Sequence, residues 1–151
     1  MAQKIHKVKI IGSGLIGTSI ALALKSKGIA IQMVDKEAQS ERLANDLVNG
    51  EVISDPDLVI VSASIDANLN LISQSLKLHP RSIVLDIASV KSNLLDEVLK
   101  LSDNPENFIS SHPMAGREVS GAQSARSDLF VGRAWIGITS SNTCELAKEL
   151  L

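Results

Sequence analysis

Six residues near the start of the chain, Gly12-Ser13-Gly14-Leu15-Ile16-Gly17, constrain its fold more tightly than any other stretch. Before them, Lys7-Val8-Lys9-Ile10-Ile11 reads as a short strand. After them, residues 15–27 keep helical spacing and stop at Gly28, a good helix terminator. Each glycine of such a strand-to-helix turn answers a mechanical need. Gly12 permits the tight turn, Gly14 lets the backbone come close to a bound phosphate group, and Gly17 lets the helix lie close on the sheet. The helix N-terminus adds free N–H groups and a partial positive charge that favour phosphate.

The alternation continues down the chain. Further strands are predicted over residues 30–34, 57–62, 82–86, 108–111 and 134–139, and helices over 37–49, 66–78 and 90–101, the last with Ser89 as its N-cap. Strands alternating with helices imply parallel pairing and right-handed crossovers. The expected fold is α/β, a Rossmann-type doubly wound parallel sheet of about six strands in the order 3-2-1-4-5-6, with residues 1–151 forming one dinucleotide-binding domain. Residues 142–151 read as the start of a helix, with Glu145 three residues after Asn142 as in a capping box. So short a helix needs a packing partner, so the chain is expected to be half of something longer or to pack on another subunit.

A chain of 151 residues fits one hydrophobic core. Phe108, Phe130 and Trp135 are its only aromatics, so the core must be aliphatic, as buried parallel strands are. A net charge of -2 without a basic run speaks against a nucleic-acid partner. Cys144 is the single cysteine, which excludes an intrachain disulfide and suits a reducing, cytoplasmic location. The most apolar stretch, residues 10–24, is broken by glycines and too short to span a membrane. No cluster has metal-ligand spacing, so no metal is expected.

Asp35 ends the second predicted strand, 18 residues after Gly17. A carboxylate there can accept hydrogen bonds from the ribose hydroxyls of NAD and repel the 2′-phosphate of NADP. Lys36 beside it softens that discrimination and leaves NADP open. The expected cofactor set is Gly12, Gly14, Leu15, Ile16, Gly17 and Asp35, with Ser62 and Ser64 at the end of the third strand. The plain alternative is a glycine-rich turn that binds nothing, with Asp35 as a turn residue.

Ligands of such sheets collect outside the carboxyl ends of the strands. His112, after the fifth strand, is the acid–base candidate, because its ordinary pKa lies near neutrality. His6 lies in the N-terminal lead-in, and His79 at the opposite end of the sheet. A loop histidine with a structural hydrogen bond fits position 112 equally well. Ser89 can bond a substrate hydroxyl or His112, or simply cap a helix. Glu118 and Arg117 can orient a charged substrate, or form a solvated pair. Ser120 of the same loop is a further substrate-binding candidate, and Cys144 reads as structural.

The run from His112 to Gly121, His-Pro-Met-Ala-Gly-Arg-Glu-Val-Ser-Gly, resembles the signature loop of the prephenate/arogenate dehydrogenase family. Gly14-Leu15-Ile16-Gly17, Asp86-Ile87-Ala88-Ser89-Val90-Lys91 and Asp128-Leu129-Phe130-Val131-Gly132 resemble family motifs in the family's order. The third-strand loop departs from it, reading Ala63-Ser64-Ile65 where the family commonly has a proline. The resemblance implies NAD-dependent oxidative decarboxylation of prephenate or arogenate in tyrosine synthesis. It implies that His112 takes the ring hydroxyl's proton, that Ser89 assists at the same hydroxyl, and that Glu118 lies in the substrate pocket. It also implies a helical second domain, absent from this chain, that makes a homodimer and supplies an arginine for a substrate carboxylate. Two other readings compete: a different Rossmann oxidoreductase, of hydroxyacid dehydrogenase or imine reductase type, and a stand-alone nucleotide-binding module without activity.

Overall fold

In a computed structural model that describes residues 4–89 and 93–150, strand β1 (Lys7–Ile11) feeds through the glycine turn into helix α1 (Leu15–Lys25). Then come β2 (Ala30–Val34), α2 (Ala38–Val48), β3 (Leu58–Val61), α3 (Ile65–Leu78), β4 (Ile83–Asp86), α4 (Leu94–Leu101), β5 (Phe108–Pro113), β6 (Trp135–Ile138) and α5 (Glu145–Lys148). Alternate residues of the central strands face opposite ways, and the two faces bury separate cores. On one face Val8, Ile10, Leu58 and Ile60 pack with Ile20 and Ala21 of α1 and Ala44 and Val48 of α2. On the other, Val59, Val61 and Val84 pack with Ile72 and Leu76 of α3 and Val98 of α4. The sheet is therefore covered by helices on both sides, as an α/β doubly wound fold requires.

The strand order is β2-β1-β3-β4-β5-β6, which corrects the expected 3-2-1-4-5-6. The third strand lies beside β1, not outside β2. β2 carries a polar residue at its centre, Gln32, and its burial alternates, as an edge strand allows. An irregular segment satisfies its outer edge: Glu51 N donates to Ile31 O (2.9 Å) and Ile53 N to Gln32 Oε1 (3.1 Å). Ser54-Asp55-Pro56 then breaks that segment before it can form a strand. β3, Leu-Val-Ile-Val, is buried at every residue and needs a neighbour on each side.

The sheet is not wholly parallel. β6 runs antiparallel to β5, which corrects the expected wholly parallel sheet, and three of its four residues are exposed. Pairing with β6 carries β5 on through His112 and Pro113, two residues past its expected end. α4 starts at Leu94 behind Asn93, so Ser89 is not its N-cap; the expected helical residues 90–92 lie outside the described residues. α5 starts behind Cys144, so the expected Asn142–Glu145 capping box does not form. Asn142 N instead donates to Ser140 Oγ (3.2 Å), within a turn in which Ser140 N donates to Thr143 Oγ1 (2.8 Å).

Candidate functional site

The carboxyl ends of β1, β2 and β3 meet around the glycine turn. Gly12 N donates to Val34 O (2.8 Å) and Ser62 N to Ile11 O (2.7 Å), which lock the turn between its neighbours. Gly12 has φ +105°, and a Cβ there would lie 2.0 Å from Ser62 O. A Cβ on Gly17 would lie 2.2 Å from Gly12 O. Gly14 is different: a Cβ there would meet nothing within 4 Å, because it would project into an open cleft. Two of the three glycines thus close the fold, and Gly14 keeps space free in front of α1. The first N–H groups of α1 have no intrahelical acceptor and a partial positive charge, so an anion suits that space.

Asp35 stands one residue beyond β2 and is tied to the turn. One carboxylate oxygen accepts from Ser13 N (2.8 Å) and Ser13 Oγ (2.7 Å), and the other from Glu37 N (2.9 Å). Burial pushes its pKa up, but the bonds from Ser13 and Glu37 and the nearby Lys36 outweigh this and hold it below the ordinary carboxylate value. A carboxylate has about four acceptor positions, so these three bonds leave room for one more donor, such as a sugar hydroxyl. Asp35, Lys36, Ser62, Ser64 and Gly12–Gly14 line one cleft of about 510 Å³. That Ser13 fastens Asp35 escaped the sequence reading, although a small hydroxyl between two glycines was its visible signal.

A second cleft of about 510 Å³ opens on the other side of the turn. Gly14, Leu15, Ile16 and Ser62 form one wall, and Ser89, His112 and Ser120 contribute to the others. Gly14 and Ser62 line both clefts, so one elongated ligand can run across the turn. His112 lies within β5, paired with Ile136, and not in a loop. Its Nδ1 is buried with no hydrogen-bond partner among the described residues, so the structural bond that would explain a purely architectural histidine is missing at that atom. Ser89 and Ser120 are exposed on the cleft rim. Glu118 is exposed and lines neither cleft, whereas its neighbour Arg117 does line the His112 cleft.

A buried carboxylate supports this wall. Asp86 ends β4 with no exposed surface; one of its oxygens accepts from Ala88 N (3.0 Å) and the other from Ser111 N (3.1 Å). Ser111 Oγ donates to Asp86 O (2.6 Å) and accepts from Trp135 Nε1 (3.0 Å). One network thus joins the residues before Ser89, the residue before His112, and β6. The sequence reading gave Asp86 no role, yet a carboxylate closing an apolar strand was its signal.

The profile of the family described as prephenate dehydrogenase, nucleotide-binding domain, matches residues 20–150. The chain belongs to that family. The match begins beyond the glycine turn, whose residues are 12–17. The prephenate dehydrogenase of Lactococcus lactis is 33% identical over 158 residues, covering 95% of this chain and 44% of that protein. The probable prephenate dehydrogenase NovF of Streptomyces niveus is 31% identical over 137 residues, covering 89% of this chain and 38% of that protein. This chain therefore spans less than half the length of these relatives. In fold it resembles the prephenate dehydrogenase of Aquifex aeolicus solved with hydroxyphenyl propionate and NAD+, with a TM-score of 0.87, 24% identity and coverage of 99% of this chain and 56% of that one. Among the described residues no helix is long and apolar enough to cross a membrane. No group of three or more His, Cys, Asp or Glu among them is placed to hold a metal ion.

Proposed function

We propose that this domain binds NAD across its glycine turn and is the cofactor half of an enzyme that oxidatively decarboxylates prephenate, or its amino counterpart arogenate, in tyrosine biosynthesis. One observation carries the reading: His112, whose buried Nδ1 has no partner among the described residues, faces the same cleft as Gly14 and the start of α1. The relatives are more than twice as long as the matched part, which is consistent with a further domain; the family resemblance implies that it is helical, completes the substrate site and makes a homodimer. Residues 1–151 then constitute the dinucleotide-binding domain.

The open space at Gly14 and the ionised Asp35 fit a dinucleotide. Gly14, Leu15 and Ile16 face its phosphates, Gly12 and Gly17 shape the turn that admits them, Asp35 holds a ribose, and Ser62 and Ser64 its far side. When bound, the nicotinamide supplies the hydride acceptor. His112 hydrogen-bonds the ring hydroxyl of the substrate and takes its proton as the hydride leaves the same carbon. Ser89 and Ser120 hold the substrate at the cleft rim, and Glu118 approaches it once the site is complete. The bond to the ring carboxylate then breaks, carbon dioxide leaves, and the bond's electron pair moves through the ring to the new carbonyl oxygen, which takes a proton back from His112 as the ring becomes aromatic.

The test uses the complete gene product with NAD and prephenate or arogenate, read by NADH absorbance. Turnover with one of them is expected, with a preference for NAD over NADP because Asp35 repels a 2′-phosphate. His112→Asn should lower turnover by roughly 10²–10⁴-fold with little change in NAD affinity. A complete protein that binds NAD but oxidises neither acid would overturn the assignment.

A further inference from the structure

Three of the chain's five arginines, Arg117, Arg126 and Arg133, line one pocket of about 280 Å³. A succession of tight turns folds them together: Val131 N donates to Asp128 O (3.1 Å) and Arg133 N to Phe130 O (3.1 Å). Arg126 N donates to Ser19 Oγ (3.0 Å), which pins the loop to α1. Asp128 is the one carboxylate among the lining residues, and Arg126 occupies both its oxygens, through Nε at 2.8 Å and Nη2 at 2.7 Å. Arg117 spends one donor on Ser124 O (3.1 Å). Among the described residues no ion pair reaches Arg133. Among the described residues Arg133 is therefore left without a carboxylate, and Arg117 has only the longer-range attraction of Asp128, whose two oxygens Arg126 already holds.

The pocket is placed where such charge has a use. Gly116 and Arg117 line both it and the His112 cleft, so the two spaces adjoin. No residue of the glycine turn lines it, which separates it from the place argued for the cofactor phosphates. Guanidinium forks present paired donors that match a carboxylate, which a lysine cannot do. We propose that the Arg117–Arg133 pocket holds a carboxylate of the ligand seated in the His112 cleft. On that arrangement this domain itself reads the acid end of its substrate. The proposal rests on the functional reading above for the kind of ligand, an aromatic or cyclohexadienyl acid, but not for the charge of the pocket.

The experiment titrates this chain with hydroxyphenyl propionate and, separately, with the uncharged amide of the same acid. Arginine Nε–H signals are followed by NMR, with Arg42 and Arg81 as internal controls. The acid should shift Arg117 and Arg133 saturably and more than the controls; the amide should not. Arg133→Gln and Arg117→Gln should each weaken the acid roughly tenfold, the scale of one charge-assisted hydrogen bond at an open site, and leave the amide unchanged. Both side chains lie on exposed residues, and unaltered amide spectra elsewhere would verify the fold. Equal behaviour of acid and amide, or shifts no larger than those of Arg42 and Arg81, overturns the proposal. A parallel NAD titration reads the amides of residues 12–17. Failure there overturns the cofactor reading and leaves the arginine comparison standing.

Discussion

A methyl group added at Gly12 or Gly17 would run into backbone oxygen, whereas one added at Gly14 would stand in open space. Gly14 also has φ -73°, a conformation any residue adopts. The three glycines should therefore fail differently when replaced by alanine. Gly12→Ala and Gly17→Ala should each cost about 1–3 kcal/mol of fold stability, through strain and overpacking. Gly14→Ala should cost less than about 1 kcal/mol, the penalty of a poor N-cap, yet weaken NAD at least tenfold by filling the phosphate space. Thermal melts and calorimetric NAD titrations of the three variants would separate these effects. NAD affinity unchanged in Gly14→Ala would remove the turn as the phosphate site. At this scale the sequence was informative, because a glycine's spacing states a local backbone need. Asp35 was legible as a carboxylate ending a strand; its tie to Ser13 was not, because a side chain's rotamer is set by the folded surroundings.

Elements were legible in kind and less so in arrangement. Continuous apolar runs such as Leu58–Val61 mark buried strands, and the glycine at 28 marks a helix end. Strand order is decided by distant partners: β2, half-buried with Gln32 at its centre, tolerates an edge and the wholly buried β3 does not, a comparison that local periodicity does not make. The extension of β5 through His112 has the same origin, since β6 pairs with it from more than twenty residues away. That pairing puts the chain's single tryptophan to use. Ser111→Ala would leave Trp135 Nε1 without its acceptor and remove the bond that Ser111 Oγ donates to Asp86 O, and should cost about 1–3 kcal/mol. It should also shift the tryptophan emission and weaken the hold on neighbouring His112. Denaturant unfolding followed by that fluorescence would measure both effects. A variant as stable as the parent, with unchanged emission, would show that the network does not support the site wall.

For the whole molecule, the two ends of the sheet should respond to acid separately. At the amino end His79 caps α3 within 3.2 Å of Lys9 Nζ; burial and the Lys9 charge hold it below its ordinary value of 6.5, against a smaller opposing pull from Asp55. The unfolded chain then binds this proton before the folded one does. Stability is full above about pH 6.5 and falls as the pH drops below it, until folded His79 titrates as well. At the carboxyl end Asp35 is also held below its ordinary 3.8. Its contribution is present above that value and is lost as the pH falls through the folded pKa. Melting temperature should therefore decline in two stages on the acid side. His79→Gln should flatten the first stage and leave the second. Asp35→Asn should do the reverse, while lowering melting temperature at neutral pH because the bonds from Ser13 and Glu37 lose their charged acceptor. Melts taken from about pH 7.5 down to about pH 3 cover both windows. If the His79→Gln profile superposes on the parent through the first window, Lys9 and burial do not hold that imidazole neutral. The acid response would then belong to the glycine-turn end of the sheet, where Asp35 joins β2 to the start of α1.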